Sequence, residues 1–88
     1  MRKPIYRGGY KKDFIGWFDT SEVIFEASIG DIHRRKTLYI TKNDNIIIYD
    51  SLNGYCCIAN EKEIAEILSY SEVDCPKQLQ DILEKYKM

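Results

Sequence analysis

An 88-residue chain sits within the size of one domain, and at that length folding hides only about 60 to 65 % of the unfolded surface, so a single modest core is all it can hold. Hydrophobic residues at 44 % and aromatics at 12 %, seven of them Tyr, exclude a disordered chain. The formal charge, 13 − 14 = −1, argues against a dedicated nucleic-acid binder, whose domains are strongly basic.

The charge is unevenly spread. Residues 1–42 carry nine Lys/Arg and five Asp/Glu (9 − 5 = +4), and residues 43–88 carry four and nine (4 − 9 = −5). Cys56, Cys57 and Cys75 are an odd number with two adjacent, unlike a secreted disulfide framework. Neighbours in a strand point to opposite faces, so Cys56 and Cys57 do not pair without distortion. The basic amino terminus has no apolar core like that of a signal peptide, and no stretch approaches the roughly 20 apolar residues of a membrane span. A soluble, cytoplasmic protein with no obligatory metal, disulfide or cofactor is expected.

In chain order, residues 1–12 hold Arg2, Lys3, Arg7, Lys11 and Lys12 with no acid, plus Pro4 and Gly8-Gly9, and read as a basic, flexible arm or a loosely docked edge. DFIGWF, from Asp13, has the aromatic character of a first strand, with Gly16 marking a weak centre or a bulge. In DTSEVIFEASI, residues 19–29, the Asp19-x-x-Glu22 spacing suits a helix cap, but Val23, Phe25, Ala27 and Ile29 alternate with polar residues and Gly30 cuts the segment short. The segment reads as a strand.

Thr37 to Thr41 and Ile46 to Asp50 flank Lys42-Asn43-Asp44-Asn45, a turn composition that closes a hairpin. A register centred between Asn43 and Asp44 puts Leu38 and Ile40 opposite Tyr49 and Ile47 on the core face, leaving Tyr39 and Ile48 on the other. Asn53-Gly54 signals a second tight hairpin returning as Tyr55 to Ile58. Asn60 with Glu63 forms a capping box ahead of the apolar stripe Ile64, Ile67, Leu68. Pro76 is placed to start a second helix with Leu79, Ile82, Leu83 and Tyr86 on one face. The whole predicts one α+β domain: residues 1–12 an arm, 13–59 an antiparallel meander of about five strands, and 60–88 two helices on one face of it.

No catalytic constellation stands out. His33 is the single histidine, which excludes a histidine metal cluster, and a cysteine–histidine zinc site would need Cys56 and Cys57 on one face. Cys75, before Pro76, reads as a helix-start residue rather than an activated thiol. Glu61, Glu63, Glu66, Asp81 and Glu84 fall on solvated helix faces, and Gly8-Gly9 lacks the context of a phosphate loop. The site-like feature is the basic run His33, Arg34, Arg35, Lys36 with Arg7, Lys11 and Lys12, joined by the outward Tyr39 and Ile48. It reads as a solvated loop, as a phosphate-binding patch with Tyr39, Tyr6 or Tyr10 stacking on bases, or as a contact for an acidic protein surface.

WFDxxxVxFE at Trp17 to Glu26, then TLYITKNDNIIIYD and IANEKEIAEIL, together resemble a group of small uncharacterised bacterial and mobile-element proteins. The resemblance spans about residues 17–68, without the Gly that usually follows the Thr-Lys of the turn or the Trp usual in the helix. It implies the fold and no known chemistry. The expectation is a non-catalytic protein-interaction module, in a mobile-element setting an inhibitor of a host defence nuclease of the anti-CRISPR kind. The alternatives are a nucleic-acid-binding or regulatory protein using the basic arm and loop, and, third, a small ribonuclease toxin using His33 and Arg34. Exposed sheet edges also allow a homodimer.

Overall fold

The computed structural model describes residues 1–7, 13–31, 33–52, 54–71 and 74–88. They form six strands, β1 (Arg2–Tyr6), β2 (Phe14–Asp19), β3 (Val23–Ile29), β4 (Lys36–Thr41), β5 (Ile46–Asp50) and β6 (Tyr55–Ile58), then helices α1 (Glu61–Tyr70) and α2 (Gln80–Lys85). The class is α+β, strands first and helices last. The expected five-stranded antiparallel meander is corrected in one respect: the sheet is mixed, in the order β2-β1-β6-β5-β4-β3, with β1 parallel to β6. Residues 2–6, expected in the arm, are that additional strand. Pro4 is tolerated there because the parallel seam with β6 spans only Ile5↔Cys56 and Tyr6↔Cys57, beyond Pro4.

The connection between β2 and β3 dictates the shape. These are the two outer strands, about 24 Å apart were the sheet flat at ~4.8 Å per neighbour. Yet only the short 3-10 turn Thr20–Glu22 joins them, and Asp19 to Val23 reaches at most about 14 Å. The sheet therefore curls, with β2 folding back across the face opposite the helices. Lys42 N–H donates to the Glu22 carbonyl at 2.9 Å and pins the turn to the β4–β5 loop. The strand expected over residues 19–29 begins only at Val23, and the alternative set aside for its start is what residues 20–22 adopt, a short helical turn that Asp19 caps by accepting from Ser21 N–H.

The curl divides the apolar residues between two cores. On the helix side, Ala27, Leu38, Ile40 and Ile48 meet Ile64, Ile67, Leu68 and Leu79. Inside the curl, Ile5, Phe18, Ile47 and Cys56 pack together with Val23, Tyr39 and Tyr49 against them. Asn60 caps α1, accepting from Glu63 N–H at 2.8 Å while its amide donates to the Glu63 carboxylate. Pro76 does not open α2 but precedes a 3-10 turn, Lys77–Leu79, so the helix starts at Gln80 and ends at Lys85, leaving Tyr86 exposed.

The β4–β5 register differs from the expected one by a single residue: Leu38 pairs with Ile48 and Tyr39 with Ile47. Asp44 sits at φ +61, its N–H bonded to the Thr41 carbonyl, while Thr41 N–H bonds to the Asn45 carbonyl. That is a turn followed by a left-handed bulge residue, and the extra residue slides β5 by one and reverses its faces. Ile48, expected on the outward face, is 3 % exposed under the helices. Ile47, the expected core residue, is buried as well, but inside the curl.

Candidate binding face

The helices lie over β3, β4 and Ile48 of β5, and among the described residues the β1-β2 side of the same sheet surface, with Tyr55 of β6 beside it, has no helix packed on it. Alternation along the paired strands decides what that side displays. Tyr6 pairs with Phe14, Pro4 with Trp17 and Arg2 with Asp19, while Tyr6 also stands beside Cys57 of β6, so these side chains share one face with Tyr55. The ladder slips between Ile5, opposite Gly16, and Tyr6, opposite Phe14. Ile15 is the extra residue, and without the slip Phe14 would point into the curl.

The outcome is a row of rings. Tyr6 meets Phe14 edge to face at 6.2 Å and Tyr55 edge to face at 5.6 Å between centroids. The Arg2 guanidinium lies 5.5 Å from the centre of the Trp17 indole. Phe14 is 60 % and Trp17 57 % exposed. Large aromatics dominate buried surface when they have somewhere to go. Two standing open on adjacent turns of one edge strand, beside two more rings, form a patch rather than a scatter.

The charges around the patch are of both signs: Arg2, Lys3 and Arg7 along β1 and at its end, Asp13 and Asp19 flanking the exposed residues of β2, and Asp50 opposite Tyr55. Lys3, on the other side of β1, holds its ammonium 5.3 Å from the centre of the Tyr49 ring, and Lys3, Pro4, Tyr6, Tyr55 and Gly54 line a shallow cleft between β1 and the turn before β6. Arg7 is exposed. The ion pairs among the described residues are the α-amine of Met1 with Asp19 and Lys85 with Glu61, so Arg2, Lys3 and Arg7 have no described carboxylate within ion-pair distance. The Ser21 backbone N–H and hydroxyl, together with the α-amine, hold the Asp19 carboxyl at about 2, keeping it ionised.

The residues that the sequence singled out are dispersed. Lys11 and Lys12, and Tyr10 with them, lie outside the described residues. His33, Arg34 and Arg35 sit in an exposed loop shaped by Asp31, whose carboxylate accepts the backbone N–H groups of His33 and Arg34, each at 2.9 Å. Gly30, at φ +96, lets the chain turn where a Cβ would strike the Arg34 carbonyl. The loop is tied to the β5–β6 turn by Arg35 N–H to Ser51 Oγ at 2.8 Å and Ser51 N–H to the Arg35 carbonyl at 2.9 Å. Lys36 is half-buried in β4 opposite Asp50. Tyr39 is not an outward stacking ring: it packs against Phe18 inside the curl, and burial pushes its hydroxyl pKa up.

Burial likewise raises the thiol pKa of Cys56, Cys57 and Cys75, the opposite of what an attacking thiolate needs. Among the described residues no three His, Cys, Asp or Glu side chains converge as a metal site. The groove between the helices, about 470 Å³, is lined by Lys62, Glu66, Glu84 and Lys87 around Leu83 and Tyr86. Its charged residues are of both signs.

Phe14, Trp17 and Tyr55 were not candidates in the sequence, and Arg2 entered only as part of the basic arm. One signal was present: DFIGWF puts large apolar residues on both faces of a strand, so either both faces are covered or one set stands exposed. Comparison with protein-family models, curated proteins and solved structures finds no match.

Proposed function

We propose that the chain is a non-catalytic binding module whose contact surface is the bare outer face of β1, β2 and β6. The observation that carries this reading is the exposure of Phe14 and Trp17 in a row with Tyr6, Tyr55 and Arg2, on a sheet surface whose other half is covered by helices. Trp, Tyr and Arg are the residues that anchor interfaces, because each offers a large rigid contact with a polar handle. The odd number of cysteines, with two adjacent, supports a reducing compartment, the cytoplasm, as its place of action. Inhibition of a defence nuclease is the narrower reading and rests on the sequence resemblance alone.

Photo-crosslinking in living cells tests the face. A benzophenone amino acid at position 14 or 17 is expected to yield discrete adducts that the same group at position 62 or 84, on the helices, does not. Adducts only from the helix positions would overturn the assignment.

A further inference from the structure

Resting on that reading, we infer that the occupant of the bare face is a single-stranded nucleic acid, its bases stacked on Trp17, Phe14 and Tyr6 and its phosphates held by Arg2 and Arg7. The chemistry of the face selects this ligand. Its groups are planar, an indole, a phenyl, two phenols and a guanidinium, and they are presented on neighbouring strands rather than gathered into a pocket. Unstacked bases have π-faces to offer such a surface, whereas a duplex keeps its own stacked inside.

The cations of β1 and its end suit a polyanion although the whole chain is at −1. Among the described residues up to Asp19, Arg2, Lys3 and Arg7 stand against Asp13 and Asp19, and the Asp19 carboxylate is engaged by Ser21 and the α-amine. The Arg2 guanidinium lies over Trp17, 5.5 Å from the ring centre, with no described carboxylate partner, which leaves its N–H groups open for a phosphate while a base stacks on the exposed remainder of the indole. Five of the nine acidic residues of the second half, Glu61, Glu63, Glu66, Asp81 and Glu84, sit on the helices, and Asp50 stands opposite Tyr55 at the β6 end of the row, so the phosphates lie towards the Arg2 and Arg7 side.

Trp17 is the sole tryptophan, so its emission reports the event directly. Titration with a ten-residue thymidine or uridine oligonucleotide is expected to quench it saturably, and a duplex of the same length is not. Whether the thymidine or the uridine strand binds more tightly identifies DNA or RNA as the preferred source of the same chemistry. Phe14→Ala and Tyr6→Ala are each expected to weaken binding on the order of tenfold. The triple change of Arg34, Arg35 and Lys36 to Ala is expected to leave affinity within about twofold. Contacts to two or three phosphates give a modest logarithmic salt slope of about −1.4 to −2.

Absence of quenching by both oligonucleotides at low salt, equal binding of duplex, or loss of binding in the loop variant with Phe14→Ala unaffected would each overturn the inference. Dimerisation abolished by Phe14→Ala, seen by sedimentation, would overturn it in favour of a second copy of this chain. A protein adduct from positions 14 and 17 without oligonucleotide binding would sink the nucleic-acid ligand and leave the binding face standing. Adducts confined to the helix positions would sink both.

Discussion

The Phe18 ring of β2 rests 5.9 Å from the Tyr39 ring of β4, two strands that the sheet order separates by three others. This contact holds the curl closed over Ile5, Ile47 and Cys56. Phe18→Ala is expected to cost about 3–5 kcal/mol, because a buried ring is lost and the cavity lies beneath a strand with no partner on its outer side. Urea denaturation measures it. A loss below about 1 kcal/mol would mean that the curl does not depend on this contact.

Phe14, four residues away on the same strand, gives the converse. Its ring is mostly in water and touches Tyr6 at its edge, so Phe14→Ala is expected to cost less than about 1 kcal/mol. The same denaturation series reads the pair. A destabilisation as large as that of Phe18→Ala would return Phe14 to the core and remove it from the binding face.

Gly30 bears on the basic loop. An alanine there would need a backbone angle that L-residues rarely adopt and would collide with the Arg34 carbonyl, so Gly30→Ala is expected to destabilise by more than about 1 kcal/mol. For a domain of this size that lowers the melting temperature by at least about 4 °C. Calorimetry checks it.

Asp19 sets a pH dependence whose sign follows from its hydrogen bonds. The Ser21 N–H and hydroxyl, with the α-amine, lower its pKa from 3.8 to about 2 in the fold. Its stabilisation is then complete above the unfolded value and lost as pH falls through the folded one. Melting temperatures of the native chain and of Asp19→Asn are expected to differ by a constant amount above about pH 4, to converge between pH 4 and 2, and to coincide below. A gap that widens towards acid would contradict the arrangement.

The thiols make a kinetic prediction. Burial raises all three pKa values, and Cys56 is also enclosed, so at pH 7 each is expected to react with a disulfide reagent more slowly than free cysteine until urea exposes it. Fast labelling of one cysteine in the native protein would identify an activated site.

How far the sequence revealed this structure varies by element. The α1 cap at Asn60 and Glu63 and the stripe Ile64, Ile67, Leu68 follow from short-range chemistry, and the helix stands as expected. The β4–β5 strands were legible and their register was not, because Asn43, Asp44 and Asn45 each tolerate a left-handed backbone and nothing local says that Asp44 takes it. The cost was Ile48, read as a contact residue and found in the core. β1 was hidden for a different reason. Arg-Lys-Pro-Ile-Tyr has the polarity of an arm, and it becomes a strand through pairing with residues about fifty positions away. Because the candidate face needs β1, the face was hidden with it, and Tyr39 drew attention to the wrong surface.

The seam between β1 and β6 also bears on how the molecule is assembled. Ile5 and Tyr6 cannot dock until Cys56 and Cys57 have emerged from the ribosome, and before then β1 and β2 form a lone hairpin, a structure of marginal stability in water. In the finished protein the same hairpin is secured by two parallel residue pairs, the Phe18 ring and the turn that leads to β3. Tyr6, Phe14 and Trp17 are thus borne by a unit that opens as one piece against a sheet in which Tyr55 stays with β6. Amide hydrogens of β1 are expected to exchange faster than those of β4, and a ligand on the rings would act as a clasp that slows them.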